Sequence, residues 1–179
     1  MEFETLVTIE RAIEIARETQ IPHTTEWISL SEANNRILNE DLSSKVDDPP
    51  LHVSAMDGWA VRASDKQRIE VGMTAAGEPP TSIGPGEAVR IMTGAPIPEG
   101  ADAIVMVEDG LQGEARPHFI RRLGENLRAG EVALRKGQRM TPAAISLAAT
   151  MGHHTIPARS KLRVAVISTG DELVQPGAE

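Results

Sequence analysis

Two short stretches carry the groups best suited to chemistry. Leu51 to Arg62 reads LHVSAMDGWAVR, and Ile91 to Glu108 reads IMTGAPIPEGADAIVMVE. In each, an apolar strand-like run meets a polar turn containing glycine, and a chemically useful side chain sits on that turn: Asp57 in the first, Thr93 in the second. A carboxylate can hold a hard cation against phosphate oxygens. A threonine hydroxyl beside Gly94 can donate to an oxyanion while the bare backbone approaches closely. Both have plainer readings. Asp57-Gly58 is a common turn between strands, the aspartate bonding its own backbone, and Thr93-Gly94 is a common strand exit. A third polar segment, STGDEL at Ser168 to Leu173, follows an apolar run, as expected where open α/β sheets bind ligands; its Glu172 could equally complement a helix dipole. His153-His154 have no third ligand nearby in sequence and read as surface loop, while Trp59 reads as a core or interface anchor.

The elements that must position these groups fall into three textures. From Thr8, the residues Ile9, Ala12, Ile13 and Ala16 recur at helical spacing, with Thr8 as N-cap and Pro22 ending the run. Ser31 is placed to cap a short second helix through Ala33 and Asn34, and Asn35 suits a left-handed turn. At Asp47 to Pro50 the texture changes. In RIEVGMTA the residues Ile69, Val71, Met73 and Ala75 alternate as one face of a half-buried strand, and further short runs follow at Glu87 to Met92, Ala103 to Val107 and His118 to Ile120. About five strands divided by Gly and Pro turns predict a small β-barrel or sandwich. Helical punctuation returns at Thr141-Pro142, with Ala144, Leu147, Ala148 and Met151 as the buried stripe and Gly152 as the stop. Arg163 to Ser168 then reads as a parallel strand buried on both faces.

The expected fold is therefore α+β and multidomain. A helical framework, residues 1–46 with 121–160, carries an inserted β-barrel-like domain, residues 47–120. Residues 161–179 begin an α/β doubly wound domain of which only the first strand is present.

Composition bounds the function. At 179 residues the chain can bury roughly two-thirds of its unfolded surface. With two Phe, two Trp and no Tyr, the core must be aliphatic. Net charge is -8 and no basic run exceeds Arg121-Arg122, which argues against nucleic acid as a partner. An anionic substrate is still compatible where a metal ion or a few cations reverse the local field. Cysteine is absent, which removes disulfides, thiolate zinc sites and cysteine nucleophiles. No apolar run approaches the roughly 20 residues that span a bilayer, and the acidic start MEFETLVTIE is unlike a signal peptide, so a cytoplasmic protein without a membrane partner is expected.

Three longer patterns carry a resemblance. Pro49-Pro50-Leu51-His52-Val53-Ser54-Ala55-Met56-Asp57-Gly58-Trp59-Ala60-Val61-Arg62, the run from Arg90 through Thr93-Gly94-Ala95-Pro96 to Ala103, and Ser168-Thr169-Gly170-Asp171-Glu172-Leu173 together resemble the molybdopterin molybdenumtransferases, the family that includes the E domain of gephyrin. His52-Val53 stand where the family carries Asp-Asn. Gly124 to Arg128 resembles its Gly-x-Asn-Ile-Arg but passes directly to Ala129-Gly130-Glu131-Val132, shorter and without the family's Asp. The resemblance implies insertion of molybdate into adenylylated molybdopterin with release of AMP, assisted by Mg2+. It implies an elongated homodimer with the site between the β domain of one subunit and the α/β domain of the other, and contact with other molybdenum-cofactor biosynthesis proteins. By position, Asp57, Thr93 and Glu172 would be catalytic, and Ser54, Met56, Gly58, Gly94, Ala95, Thr169, Gly170 and Asp171 would bind substrate. The alternative is a dimerisation and scaffold unit without turnover of its own.

Overall fold

A computed structural model describes residues 5–19, 21–167, 170 and 172–177. Helix α1 spans Ile9–Glu18, and the hydroxyl of Thr8 accepts from the Arg11 amide as the sequence predicts. None of its residues is buried, and Ile9 and Ile13 on its apolar stripe are exposed. The second helix expected from Ser31 is a single 3-10 turn at Leu30–Glu32, capped by Ser29, whose hydroxyl and amide engage Glu32. Asn35 takes the expected left-handed conformation, with φ 62°.

The framework is not all helical. β1 (Thr25–Ser29) pairs antiparallel with β10 (Thr155–Arg159), and β2 (Leu42–Ser43) with β9 (Val132–Leu134). These ladders close over helix α2 (Pro142–Thr150), which starts on the Thr141 hydroxyl and ends at Gly152 with φ 83°. Ile28, Leu38, Leu42, Leu134, Met140, Ala148, Met151 and Ile156 form one core, drawn from both flanks of the β segment. Of the predicted α2 stripe, Ala144, Ala148 and Met151 are buried while Leu147 stands at the margin. Nine residues of helix cannot enclose a core alone, and the apolar alternation of the flanking strands supplies the remaining walls.

The β segment is an open sheet rather than a barrel. β4 (Gly58–Val61) lies between β6 (Glu87–Ile91) and β7 (Ala103–Met106), both antiparallel to it, and β5 (Ile69–Thr74) runs parallel to β6 at the edge. Closure would require β5 to pair with β7. The outer side of β7 is instead bridged by Arg116, through the two-way amide–carbonyl exchange of Ile104 and Arg116. A fourth ladder joins β3 (Val53–Ser54) to β8 (Ile120–Arg121); the expected strand from His118 begins as a 3-10 turn at Pro117–Phe119. Cores lie on both faces of the sheet, with Trp59, Val61 and Val105 on one side and Ala60, Ile91 and Ile104 on the other.

The single apolar face predicted for Ile69, Val71 and Met73 does not form. A register shift between Glu70 and Gly72 leaves Val71 unpaired, so Ile69 aligns with Glu87 and Met73 with Arg90, on opposite faces of the sheet. Ile69 and Met73 are 73% and 63% exposed. The strand predicted from Arg163 is also absent over residues 161–167, where Val166 is 90% exposed. A strand buried on both faces needs neighbours on both edges, and no described strand pairs with this segment. Ser168, Thr169 and Asp171 lie outside the described residues. No helix among the described residues is long and apolar enough to cross a membrane.

Gly58 fixes the packing of β4 on β7, because a Cβ there would lie 1.9 Å from the Val105 carbonyl oxygen, whereas at Gly72 it would meet nothing within 4 Å. Gly58→Ala must therefore shift backbone and is expected to cost about 1–3 kcal/mol in urea unfolding, the range for overpacking. Gly72→Ala should be neutral or slightly stabilising in the same measurement.

Candidate functional site

Asp57 and Thr93 sit on separate turns, 36 residues apart, yet meet at one exposed tip. Asp57 ends the turn from β3 into β4, and Thr93 begins the turn leaving β6. The turns are clasped by main chain: the Gly94 amide donates to the Ser54 carbonyl at 2.8 Å, and the Ser54 amide to the Ala95 carbonyl at 3.0 Å. The Ser54 hydroxyl closes its own turn by donating to the Met56 carbonyl at 2.6 Å. Gly94 holds φ 83°, a left-handed value that lets the chain reverse directly after Thr93.

At the tip, the Thr93 amide and hydroxyl both donate to Asp57 Oδ1, at 2.7 and 2.8 Å. The plain reading of Asp57 as a self-bonded turn residue is thus replaced by a cross-loop bond. Oδ2 has no hydrogen-bond partner among the described residues and is open to solvent. The Thr93 amide holds the carboxyl below its ordinary value of 3.8, the Thr93 hydroxyl adds to this, and the charge of Arg90 contributes in the same direction. The group is an anion at neutral pH, with one oxygen committed and one free.

Of the other expected site residues, Ser54 and Ala95 are 1% and 0% exposed and Gly58 is sealed by Val105, so none of the three presents a side chain to a ligand. They support the tip from beneath. Met56 is half-buried against the Ile91 and Ile104 core. Gly94 stays exposed and borders a hollow of about 380 Å³ floored by Leu51, Val53 and Pro96. Glu172 is exposed on a turn near Gly170 and makes no hydrogen bond with Asp57 or Thr93. Thr169 and Asp171 lie outside the described residues. No group of three His, Asp or Glu gathers as a metal cluster among the described residues.

Sequence reasoning passed over Arg90. Its guanidinium lies 4.6 Å from the centre of the Trp59 ring, and Trp59 in turn donates from Nε1 to Glu70 at 2.6 Å. No local pattern marks this pair: the β4–β6 register sets Trp59 beside Arg90. His52 accepts from the Leu123 amide through Nδ1 at 3.0 Å and so anchors the chain after β8.

Comparison with known proteins places this tip in a family. A sequence model of the MoeA N-terminal region (domains I and II) matches residues 7–152. The chain belongs to the MoeA family. Molybdopterin molybdenumtransferases of Haemophilus influenzae and Synechococcus elongatus are 39% and 43% identical to it, over 96% and 94% of this chain. The MoeA-family chain spans about half the length of these curated relatives, 46% and 47%. Two crystal structures of the molybdopterin biosynthesis MoeA protein from Pyrococcus horikoshii align at TM-scores of 0.79 and 0.68, each 32% identical. They cover 98% and 75% of this chain and 50% and 41% of their own. The fold is MoeA-like: mixed helix and sheet, with few helices and no closed barrel among the described residues.

The cross-loop bond predicts a pH dependence. Because the folded-state pKa of Asp57 is depressed, its contribution to stability is present above the ordinary value of 3.8 and is lost as pH falls through the folded value. Thr93→Ala removes the hydroxyl donor but keeps the amide, so an NMR titration of the Asp57 carboxyl should show its midpoint move up, part of the way back to normal.

Proposed function

We propose that this chain supplies the Asp57–Thr93 part of the site at which a molybdopterin molybdenumtransferase inserts molybdate into adenylylated molybdopterin, the metal going to the pterin dithiolene and AMP being cleaved from the phosphate. The observation that carries the proposal is the exposed pairing of a single ionised carboxylate with a threonine at the meeting point of the two motifs. The names of the relatives at 39% and 43% identity support the reaction class.

The chemistry of the donor set fits a phosphate-bearing substrate with a hard cation. Mg2+ commonly takes one or two protein carboxylates and leaves its other positions to water and phosphate oxygens, and Asp57 Oδ2 with the Thr93 hydroxyl oxygen matches that sparse set. When bound, Mg2+ would neutralise phosphoryl charge and polarise the bond to the leaving AMP. This chain's own part is to hold the carboxylate oriented through two Thr93 donors and to leave the Gly94 backbone bare for close approach. Glu172 would complete the site from the second subunit of a homodimer, facing the tip rather than bonding to it within one chain. A cytoplasmic location and handover to other molybdenum-cofactor proteins belong to the same reading.

Joining this chain to the remaining half of the Synechococcus elongatus relative should give AMP release from adenylylated molybdopterin with molybdate and magnesium, whereas the chain alone should give none. In that chimera Asp57→Ala should lower the rate by about 10²-fold or more, the scale for losing a preorganised electrostatic contact. An unchanged rate in the variant would remove Asp57 from the site.

The scaffold reading draws on a separate observation. Helix α1 presents Ile9 and Ile13, 76% and 46% exposed, with no residue of the helix buried. An amphipathic helix gains little by folding with its stripe in water, and a second copy would cover it. Sedimentation equilibrium should then show a dimer, and Ile13→Glu should shift the population to monomer. A monomer in the parent chain would end this reading.

A further inference from the structure

Arg68, Arg90 and Arg159 each carry a buried Nε without a partner, and of the three it is Arg90 that stands over the Trp59 ring. The Arg90 guanidinium makes no hydrogen bond or ion pair with any described residue. Buried donors are paired in the great majority of cases, so an unpaired one calls for a reason. What fixes Arg90 is the Trp59 ring, 4.6 Å away, and Trp59 is itself fixed by its bond to Glu70 and by burial in the sheet core. Arg90 precedes Thr93 by three residues on the strand that leads to the tip and pairs in register with Trp59, two residues past Asp57, yet it forms no ion pair with that carboxylate. A guanidinium could settle on a nearby exposed carboxylate at little cost; this one is stacked away from it, with its remaining N–H groups uncommitted.

We propose that Arg90, stacked on Trp59, forms an anion subsite next to the Asp57–Thr93 tip and binds a phosphoryl oxygen of the ligand held there. The ligand class is a phosphoanhydride such as a nucleoside diphosphate. This rests on reading the Asp57–Thr93 tip as a phosphate site and deepens it. Guanidinium geometry suits two phosphoryl oxygens through parallel N–H donors, and aromatic stacking holds the plane without consuming them. The arrangement also resolves an electrostatic difficulty. The chain carries net charge -8 and the tip adds an exposed carboxylate, so an anionic ligand meets repulsion unless a local cation offsets it. Arg90 is that cation, kept apart from Asp57 so that both remain free to act on the same ligand.

Trp59 makes the proposal readable. The chain has two tryptophans, and Trp27 is 65% exposed, so Trp27→Phe leaves Trp59 as sole fluorophore beneath Arg90. In that background, ADP with magnesium should produce a saturable change in Trp59 emission, with calorimetry reporting the same affinity and sodium chloride weakening it. Arg90→Met keeps the apolar cover over the indole but removes every donor, and should weaken ADP roughly ten- to a hundredfold, the worth of hydrogen bonds to a charged group. Arg90→Lys keeps the charge and should recover part of that loss. Urea midpoints of both variants verify folding, and Arg90→Gln replaces either that fails. If Arg90→Met binds ADP as the parent does while Thr93→Ala loses it, Arg90 only packs on Trp59 and the subsite is wrong although the tip stands. If the parent binds no ADP by either method, the phosphate reading of the tip on this chain falls together with the subsite.

Discussion

The site depends on a two-rung main-chain clasp between Ser54 and the Gly94–Ala95 turn. Asp57 and Thr93 are far apart in sequence, and neither side chain could hold the other alone. An exposed hydrogen bond between two loops contributes little against the entropy of ordering both. The clasp changes this balance because its rungs join residues already fixed by burial: Ser54 and Ala95 lie in the interior, and Ala95 packs in the same core as Ile91 and Ile104. Ordering is thus achieved by the sheet, and the Asp57–Thr93 bond forms between turns that have nowhere else to go. Gly58 adds the last constraint, since its missing side chain allows β4 to lie against the Val105 carbonyl and sets the height at which Asp57 emerges.

A division of labour follows between residues within the same motif. Ser54, Gly58 and Ala95 work by being small and buried, and Asp57, Thr93 and Gly94 by being exposed on a supported rim. This is the usual arrangement for chemistry on loops carried by a rigid scaffold. Most of a nearly continuous motif thus goes into holding two exposed polar groups, Asp57 and Thr93, in place. Most of its positions bear on geometry, and a change at a buried position would reach the chemistry by displacing Asp57 or Thr93 rather than by removing a contact with ligand.

Much of this was legible in the sequence, but unevenly. Helix α2 was readable because its signals are local: Thr141 caps, Pro142 starts and Gly152 stops, each by a backbone effect that neighbours do not override. The pairing of Asp57 with Thr93 was readable only through resemblance, since nothing in either turn specifies its partner. The misreadings share one cause, the assumption that local pattern sets tertiary burial. Ile69, Val71 and Met73 alternate cleanly, yet the bulge at Val71 resets the phase and an edge position leaves both faces in water. The flanks looked helical because their strands are short, two to five residues, and alternate too briefly to register as a period. The run from Arg163 has strand composition and no ladder to join, and composition alone does not make hydrogen bonds.

Arg90 shows what a pattern reading leaves out most readily. Within its motif it looks like the polar lead-in to an apolar run, and by composition it is one of 18 cations outnumbered by 26 acids. Its place appears only when register aligns it with Trp59 and the guanidinium carbon comes to lie over the indole. The excess of acid elsewhere then sharpens the contrast. Where the surface as a whole repels anions, a cation that no described carboxylate pairs with lowers the electrostatic cost of a phosphate beside it. Acidity of the whole chain and affinity of the tip for an anion are therefore compatible, because field strength at a few ångströms is governed by the nearest unpaired charge rather than by the sum.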